Sequence, residues 1–225
     1  MIKKILSPTD GSDASMAAVD YAITVAEKCQ AALELLYVVD VKLLEGPFTR
    51  DLAVGLGAAT FLDGQADLLH IFEERGRQAV AAARERCEAA GIRCEGHIAM
   101  GIVPRVIVEQ SELTDLVVMG RGGEHTPWLE GVLGSTTQSV VRRTTVPVLV
   151  TGTAKPAGKG LLVAYDGSAH AKRALRTGVS IAEDWNLPLR LLAFSPHAET
   201  LVGEARAYLQ SHAISVECSV DAVGE

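Results

Sequence analysis

Residues 119–136 read MGRGGEHTPWLEGVLGST, a glycine-rich stretch between two regular segments. The apolar run 115–119 predicts a buried strand, and residues 135–144 predict a helix. A glycine-rich loop between a strand and a helix N-terminus presents unpaired backbone N–H groups and the positive end of the helix dipole, which together suit a phosphate. Ser135 is predicted to cap the helix and to donate its hydroxyl to a phosphate oxygen. The alternative is a flexible surface loop with an N-capping serine.

Alternating strand and helix patterns surround this loop over residues 3–150. Five strands separated by helices predict an α/β fold, a five-stranded parallel open sheet with helices on both faces in a Rossmann-like arrangement. Ligands of such sheets bind beyond the carboxyl ends of the strands, so we expect Asp10 and the glycine loop to lie at one edge. The predicted strands are 3–8, 32–40, 92–100, 115–119 and 146–150, and the predicted helices are 12–30, 64–90, 102–112 and 135–144.

Two segments depart from that regular pattern. Residues 41–62 contain three glycines and one proline and are predicted to be irregular. Residues 146–150, VPVLV, predict a strand at the edge of the sheet, since proline is tolerated at an edge when its missing N–H faces outward.

The start of the chain is repeated further along. KKILSPTDGS at 3–12 returns as KGLLVAYDGS at 159–168, which is 156 residues later. The correspondence continues without a gap for more than thirty residues and predicts a duplicated domain. We therefore expect a first domain at 1–151, a linker at 152–158 and a partial second copy at 159–225.

The second copy has no counterpart of the glycine loop or of the last two strands, so we do not expect it to build the same phosphate site. A half-sheet also leaves an unpaired edge, which we expect to pack on the first copy or on a partner chain. The predicted strands of this copy are 160–165, 188–194 and 214–220, and its predicted helices are 169–184 and 199–212.

Composition limits the classes of partner. The chain has 225 residues, 48% of them hydrophobic, which predicts a globular protein with a substantial core. A net charge of −7 argues against nucleic acid and anionic membranes, both of which require a basic surface. The four cysteines form no metal-binding pattern and indicate free thiols in a reducing compartment. No signal peptide or membrane span is recognisable, so we expect a cytoplasmic protein.

Five motifs stand out along the chain: SPTDGS at 7–12, LLYVVD at 35–40, VMGRGG at 118–123, GST at 134–136 and VPVLV at 146–150. Together they resemble the universal stress protein family, over residues 1–150 and, in truncated form, over 159–225. The ATP-binding branch of that family has Gly-x-x-Gly, nine residues, and then Gly-Ser/Thr. Here ten residues separate Gly123 from Gly134.

The resemblance implies an ATP site in the first domain, with or without Mg²⁺. Asp10 would hold the ribose hydroxyls, with Pro8 and Thr9 shaping the nucleoside wall. Val38 would contact adenine through its backbone. The pocket would be lined by Met119 and Gly120, and the phosphates would be bound by Gly123, Gly134, Ser135 and Thr136. The residue type of Arg121 suits either a bidentate phosphate clamp or a solvated loop charge.

The resemblance further implies a stress-response protein that binds ATP as a nucleotide sensor or switch. The glycine loop has no lysine and no evident base to activate water, so the sequence favours binding over turnover. Two alternatives stay open: a slow Mg²⁺-dependent ATPase and a nucleotide-free protein-interaction module. The strand at 146–150 resembles the family's dimerisation element, which implies a homodimer through this edge or a pairing of the two copies within one chain.

Overall fold

The structure is a computed structural model in which the chain divides into two compact units, described separately here. The first unit is Ile2–Pro156, and the second comprises Ala157–Glu225 together with Met1. The described residues are 2–44, 58–123, 133–152, 160–193, 198–210 and 216–220. Most of the predicted linker and residues 124–132 of the glycine loop lie outside them.

A parallel sheet and five described helices build the first unit. Its strands are β1 Lys4–Pro8, β2 Ala32–Asp40, β3 Cys94–Gly101, β4 Leu116–Gly120 and β5 Val148–Thr151. Its helices are α1 Asp13–Cys29, α2 Val41–Leu44, α3 Ala58–Ala89, α4 Val103–Ser111 and α5 Ser135–Arg143. The strand order β3-β2-β1-β4-β5 confirms the predicted five-stranded parallel sheet. The order reverses between β1 and β4, which creates a switch point at their carboxyl ends.

Helices cover both faces of this sheet. Leu6 and Leu36 are fully buried against Ile107 of α4 and Val140 of α5 on one face. Helices α1 and α3 contact each other and the strands on the opposite side. The near-continuous apolar runs of β1, β2 and β4 follow from this arrangement, because strands buried on both faces have no polar side.

The expectation that residues 41–62 are irregular is wrong at both ends. Helix α2 follows β2 directly, and α3 already begins at Ala58 instead of residue 64. Residues 58–63, AATFLD, contain neither glycine nor proline, so nothing prevents the helix from starting there.

The last strand of the first sheet is an edge strand, as predicted, but the proline argument is wrong. The backbone N–H of Val117 donates to the carbonyl oxygen of Pro147 at 3.0 Å, so Pro147 faces β4 instead of the open side. Pro147 is tolerated because it precedes Val148, the first residue of β5, and no ladder hydrogen bond from its nitrogen is needed there.

The second unit contains a three-stranded parallel sheet in the order β6-β7-β8. Its strands are β6 Leu161–Tyr165, β7 Leu189–Ala193 and β8 Val216–Val220, and its helices are α6 Ala169–Trp185 and α7 Ala198–Gln210. One apolar cluster joins the sheet to both helices, with Val163 and Leu191 packed among Leu175, Val179 and Val202.

The local structure of β1–α1–β2 recurs in β6–α6–β7. Ile5 pairs with Leu33 in the first sheet, and Leu161 pairs with Leu189 in the second, each partner being 28 residues further along. Both helices begin at a serine cap, and both end at a residue in the left-handed conformation. Those four residues are Ser12 and Gln30 for α1, and Ser168 and Asn186 for α6.

The helices in the described part of the chain include none that is both long and apolar enough to cross a membrane.

Burial of the Cys87 thiol predicts that it resists alkylation. Cys87 is fully buried in α3, and this burial, together with the neighbouring Cys94 thiol, raises the pKa of Cys87 to about 12. Only about one molecule in ten thousand then carries the reactive thiolate at pH 8. We expect iodoacetamide to label the partly exposed Cys29 well before Cys87 in the folded protein, as read by peptide mass spectrometry. Equal labelling rates at the two sites would contradict this, and labelling in urea serves as the control.

Candidate functional site

A cleft of ≈ 280 Å³ opens in the first unit at the carboxyl ends of β1, β2 and β4. It lies where the strand order reverses, the usual ligand position in open parallel sheets. Its volume is close to the lower limit of about 300 Å³ for small-molecule sites. Its lining is Pro8, Thr9, Asp10, Ser15, Leu36, Tyr37, Val38, Val39, Asp40, Leu43, Phe72, Val103, Ile107, Met119, Gly120, Gly122, Gly123, Gly134, Ser135, Thr136 and Thr137.

The structure brings together every sequence-predicted site residue except Arg121. Residues that are distant in the chain, such as Asp10, Val38 and Gly134, line the same cleft. The exposed Arg121 does not line the cleft, but its backbone forms two hydrogen bonds that connect the glycine loop to β5 and to the start of α5. Its N–H donates to the carbonyl oxygen of Thr151 at 3.0 Å, and its own carbonyl accepts from the N–H of Gly134 at 2.8 Å.

Helix α5 points an uncapped N-terminus at the cleft. Gly134 occupies the cap position with an extended backbone and, being glycine, has no side chain to bond to the first turn. The predicted cap by Ser135 is therefore wrong, because Ser135 is already the first residue of the helix. The first turn contains no carboxylate either, so no acidic side chain of that turn competes for its backbone N–H groups. An exposed set of N–H groups at the positive end of a helix dipole favours an anion.

Contacts within the protein fix the position of this helix end. The hydroxyl of Thr137 donates to the carbonyl oxygen of Gly120 at 2.9 Å, which ties α5 to the end of β4. Gly120 in turn passes so close to α1 that a Cβ added there would lie 2.8 Å from the carbonyl oxygen of Ala14. Because that neighbour is backbone and has little freedom to move, only glycine fits at this position.

Asp10 lies between the β1–α1 turn and the glycine loop. Its Oδ1 accepts hydrogen bonds from the backbone N–H of Ser12 at 3.0 Å and from the Ser12 hydroxyl at 2.6 Å. Its Oδ2 lies beside Gly123, where an added Cβ would collide with it. Asp10 thus supports the turn through one oxygen and extends the other toward the loop.

The described lining residues carry negative but no positive side-chain charge. Asp10 and Asp40 are the carboxylates, and no lysine, arginine or histidine belongs to this set. Asp40 accepts from the N–H of Lys42 at 3.0 Å, which orders the turn into α2. Attraction for an anion within this part of the site therefore comes from backbone dipoles.

One wall of the cleft is apolar, and the sequence did not identify it as part of a site. Its helix-borne members come from α2, α3 and α4, which are separated in the chain. Leu36 and Ile107 follow the ordinary pattern of core residues, and only their position beside the cleft distinguishes them. The wall comprises Leu36, Val39, Leu43, Phe72, Val103 and Ile107.

The second unit repeats the acidic turn without the rest of the site. The backbone N–H of Ser168 donates to Oδ1 of Asp166 at 2.9 Å. Hydrogen bonds from the Ser168 side chain and backbone hold the pKa of this exposed carboxyl below its usual range. The described residues of the second unit contain no glycine-rich strand–helix loop beside Asp166.

Comparisons with known proteins show which family the chain is similar to. The model of the universal stress protein family matches residues 1–152. The universal stress protein MJ0531 of Methanocaldococcus jannaschii is 35% identical over 154 residues, which cover 67% of this chain and 82% of that protein. The universal stress protein Slr1230 of Synechocystis is 27% identical over 231 residues, with 96% and 80% covered.

A solved structure resembles the whole chain in fold. The crystal structure of a universal stress protein from Archaeoglobus fulgidus superimposes with a TM-score of 0.72 and covers 98% of this chain and 79% of that one. The two sequences are 20% identical, so this similarity concerns the fold alone.

Proposed function

The chain belongs to the universal stress protein family, and from that premise we propose that its first domain binds ATP and serves as a nucleotide sensor or switch in a stress response. The observation that carries the proposal is the uncapped N-terminus of α5 facing the cleft opposite Asp10. A phosphate group satisfies those backbone N–H groups, and a carboxylate is the usual acceptor for ribose hydroxyls.

The shape of the cleft supports one orientation of the nucleotide. Adenine lies against the apolar wall, next to the backbone of Val38, and the ribose hydroxyls donate to Asp10. Pro8, Thr9 and Met119 enclose the nucleoside. The phosphates lie against the backbone of Gly123 and Gly134 and receive hydrogen bonds from the N–H groups of Ser135 and Thr136, with Gly120 allowing the close approach.

Mg²⁺ would enter with the nucleotide. The described residues contain no cluster of three or more histidine, cysteine or acidic side chains suited to a metal ion. Phosphate oxygens and water would therefore supply most of its ligands, as is usual for Mg²⁺ bound with nucleotides.

The organisation of the remaining chain completes the proposal. Residues 1–151 form the nucleotide-binding domain, 152–158 the linker, and 159–225 a partial second copy. The protein acts in the cytoplasm and forms a homodimer through the open edge of β5. The position of this strand at the end of the sheet supports that pairing.

Matched aspartate substitutions in the two units test the nucleotide site. We expect Asp10→Ala to weaken ATP binding at least tenfold in isothermal titration calorimetry, because the ribose loses its charged acceptor. Asp166→Ala removes the corresponding carboxylate of the second unit, which has a similar turn, and should leave the affinity unchanged. Equal effects of the two substitutions would contradict the proposed site.

The purified, unmodified protein also distinguishes ATP binding from the two alternative functions, a slow ATPase and a nucleotide-free interaction module. Small molecules extracted from freshly purified protein should include an adenine nucleotide, identified by mass spectrometry. Steady phosphate release from ATP and Mg²⁺ that disappears in Asp10→Ala would indicate a slow ATPase. No bound nucleotide and no heat of binding would favour the protein-interaction module.

A further inference from the structure

Two cysteines of the first unit face each other where α3 packs on β3. Cys87 lies in the last turn of α3, and Cys94 is the first residue of β3. The Cys94 thiol acts on Cys87 both electrostatically and through a side-chain hydrogen bond, so the two sulfur atoms are neighbours. Both are free thiols, and neither is among the described residues that line the nucleotide cleft.

The backbone between the two cysteines is a tight reversal. The N–H of Ile92 donates to the carbonyl oxygen of Cys87 at 2.9 Å, and the N–H of Gly91 donates to that of Glu88 at 3.0 Å. Gly91 has a φ of 69°, the left-handed conformation that commonly ends a helix and that glycine adopts readily. The chain therefore turns back at once, which brings Cys94 beneath the helix turn that carries Cys87.

The packing of α3 on β3 shows which side chains of the two elements meet. Side chains alternate along a strand, so one face of β3 carries Cys94, Gly96 and Ile98. A Cβ added at Gly96 would collide with Val80 of α3, and one added at Gly76 would lie 3.2 Å from Cδ1 of Ile98. Residues later in the helix thus meet residues earlier in the strand, and this series ends at the cysteine pair.

The two thiols differ in their access to solvent. Cys87 is fully buried, whereas Cys94 is partly exposed on β3, the end strand of the sheet in the described part of the first unit. A dissolved oxidant therefore reaches Cys94 first, and Cys87 is placed to react with the product formed there. An accessible thiol beside a second, resolving thiol is a common arrangement of redox-sensing cysteines.

We propose that Cys87 and Cys94 form a redox site that reduces a hydroperoxide and closes into an intramolecular disulfide. The Cys94 thiolate attacks one oxygen of the O–O bond, which breaks; the other oxygen takes up the proton and leaves as an alcohol or as water. Cys94 is then a sulfenic acid. The sulfur of Cys87 bonds to the sulfur of Cys94, and the hydroxyl group leaves as water with the proton of Cys87.

These steps transfer two electrons from the two thiols to the hydroperoxide. Burial raises the pKa of Cys87 to about 12, so this thiol stays protonated and does not compete for the oxidant in the first step. A dithiol reductant restores both cysteines by thiol–disulfide exchange.

The redox site is separate from the proposed nucleotide site. The cleft lies at the carboxyl ends of β1, β2 and β4, whereas Cys94 begins β3 at the opposite end of the same parallel sheet. The reaction at the two thiols therefore does not depend on ATP binding.

Trypsin makes the disulfide directly observable, because Arg86 and Arg93 immediately precede the two cysteines. The reduced protein gives peptides 87–93 and 94–105 as separate species. The folded full chain is treated with hydrogen peroxide, blocked with iodoacetamide in urea, digested and analysed by mass spectrometry. We expect most of the two separate peptides to be lost and replaced by a linked pair that lacks one hydrogen atom from each thiol. Treatment with dithiothreitol before the block should restore the separate peptides.

Three variants assign the roles of the cysteines. Cys94→Ser should abolish the link and leave Cys87 reduced. Cys87→Ala should leave the sulfenic acid on Cys94, so that dimedone labels Cys94 about tenfold more than in the unmodified chain. Cys29→Ser is the control, because it removes another partly exposed thiol and should leave the link unchanged. Circular dichroism checks that each variant is folded.

Peptides 87–93 and 94–105 that stay separate after peroxide treatment overturn the proposal. A link that joins two chains, seen as a dimer on a non-reducing gel, overturns it as well. So does a folded Cys87→Ala chain in which dimedone labels Cys94 no more than in the unmodified chain.

Discussion

Gly123→Val is expected to reduce the affinity for ATP at least a hundredfold while the protein stays folded. A Cβ at residue 123 collides with Oδ2 of Asp10, and the two methyl groups of valine extend further into the cleft. The Asp10 carboxylate is the mobile end of a side chain, so it moves aside and the fold is preserved. The ribose then loses its acceptor, and the phosphates lose their close approach to the backbone.

Isothermal titration calorimetry with ATP and Mg²⁺ measures this effect, with thermal unfolding recorded in parallel. Gly152→Val is the matched control, because a Cβ at Gly152 meets no atom within 4 Å. It should bind ATP like the unmodified chain. If Gly123→Val bound ATP as tightly as the unmodified chain, the phosphates would not bind at this loop, and the proposed function would be contradicted.

Leu6→Ala is expected to lower the free energy of unfolding of the first unit by about 2–5 kcal/mol. Leu6 is fully buried in the middle of the sheet, in the cluster that contains Leu36 and Val117. Its truncation loses the transfer free energy of the side chain and leaves a cavity in a closely packed layer. A loss of this size is a large part of the stability of a typical domain.

Urea denaturation gives the overall change, and hydrogen exchange of peptides from β1 and β2 assigns it to the first unit. Leu113→Ala serves as the control, because Leu113 is 84% exposed and its truncation should change stability by no more than about 0.5 kcal/mol. If the two leucines had equal effects, the layer between the sheet and helices α4 and α5 would not be the packed core described here.

The regular elements of the first unit could be predicted because each has a local signal. The apolar runs of β2 and β4 mark strands buried on both faces, and the serine before α1 marks a helix start. The carboxyl-end rule then places Asp10 and Gly120 at one edge without further information. These signals depend on neighbouring residues or on a general property of parallel sheets.

Features that depend on distant contacts could not be predicted in this way. Phe72 and Leu43 line the cleft because α3 and α2 pack where they do, and nothing in their own sequence distinguishes them from core residues. The direction in which Pro147 faces depends on its hydrogen bond with β4. The sequence predicts Ser135 as the cap of α5 because serine is the commoner cap residue, whereas the structure has Gly134 there, which has no side chain to bond to the first turn.

The lack of cationic side chains among the described lining residues has a consequence for how the cleft responds to acidity. Peptide amides neither gain nor lose protons between pH 5 and 9, where histidine and cysteine change charge. The attraction that the first turn of α5 exerts on a phosphate therefore stays the same throughout that interval. Any effect of acidification on this contact would then come from the ionisation of the ligand's own phosphate groups, and not from the amides that hold it.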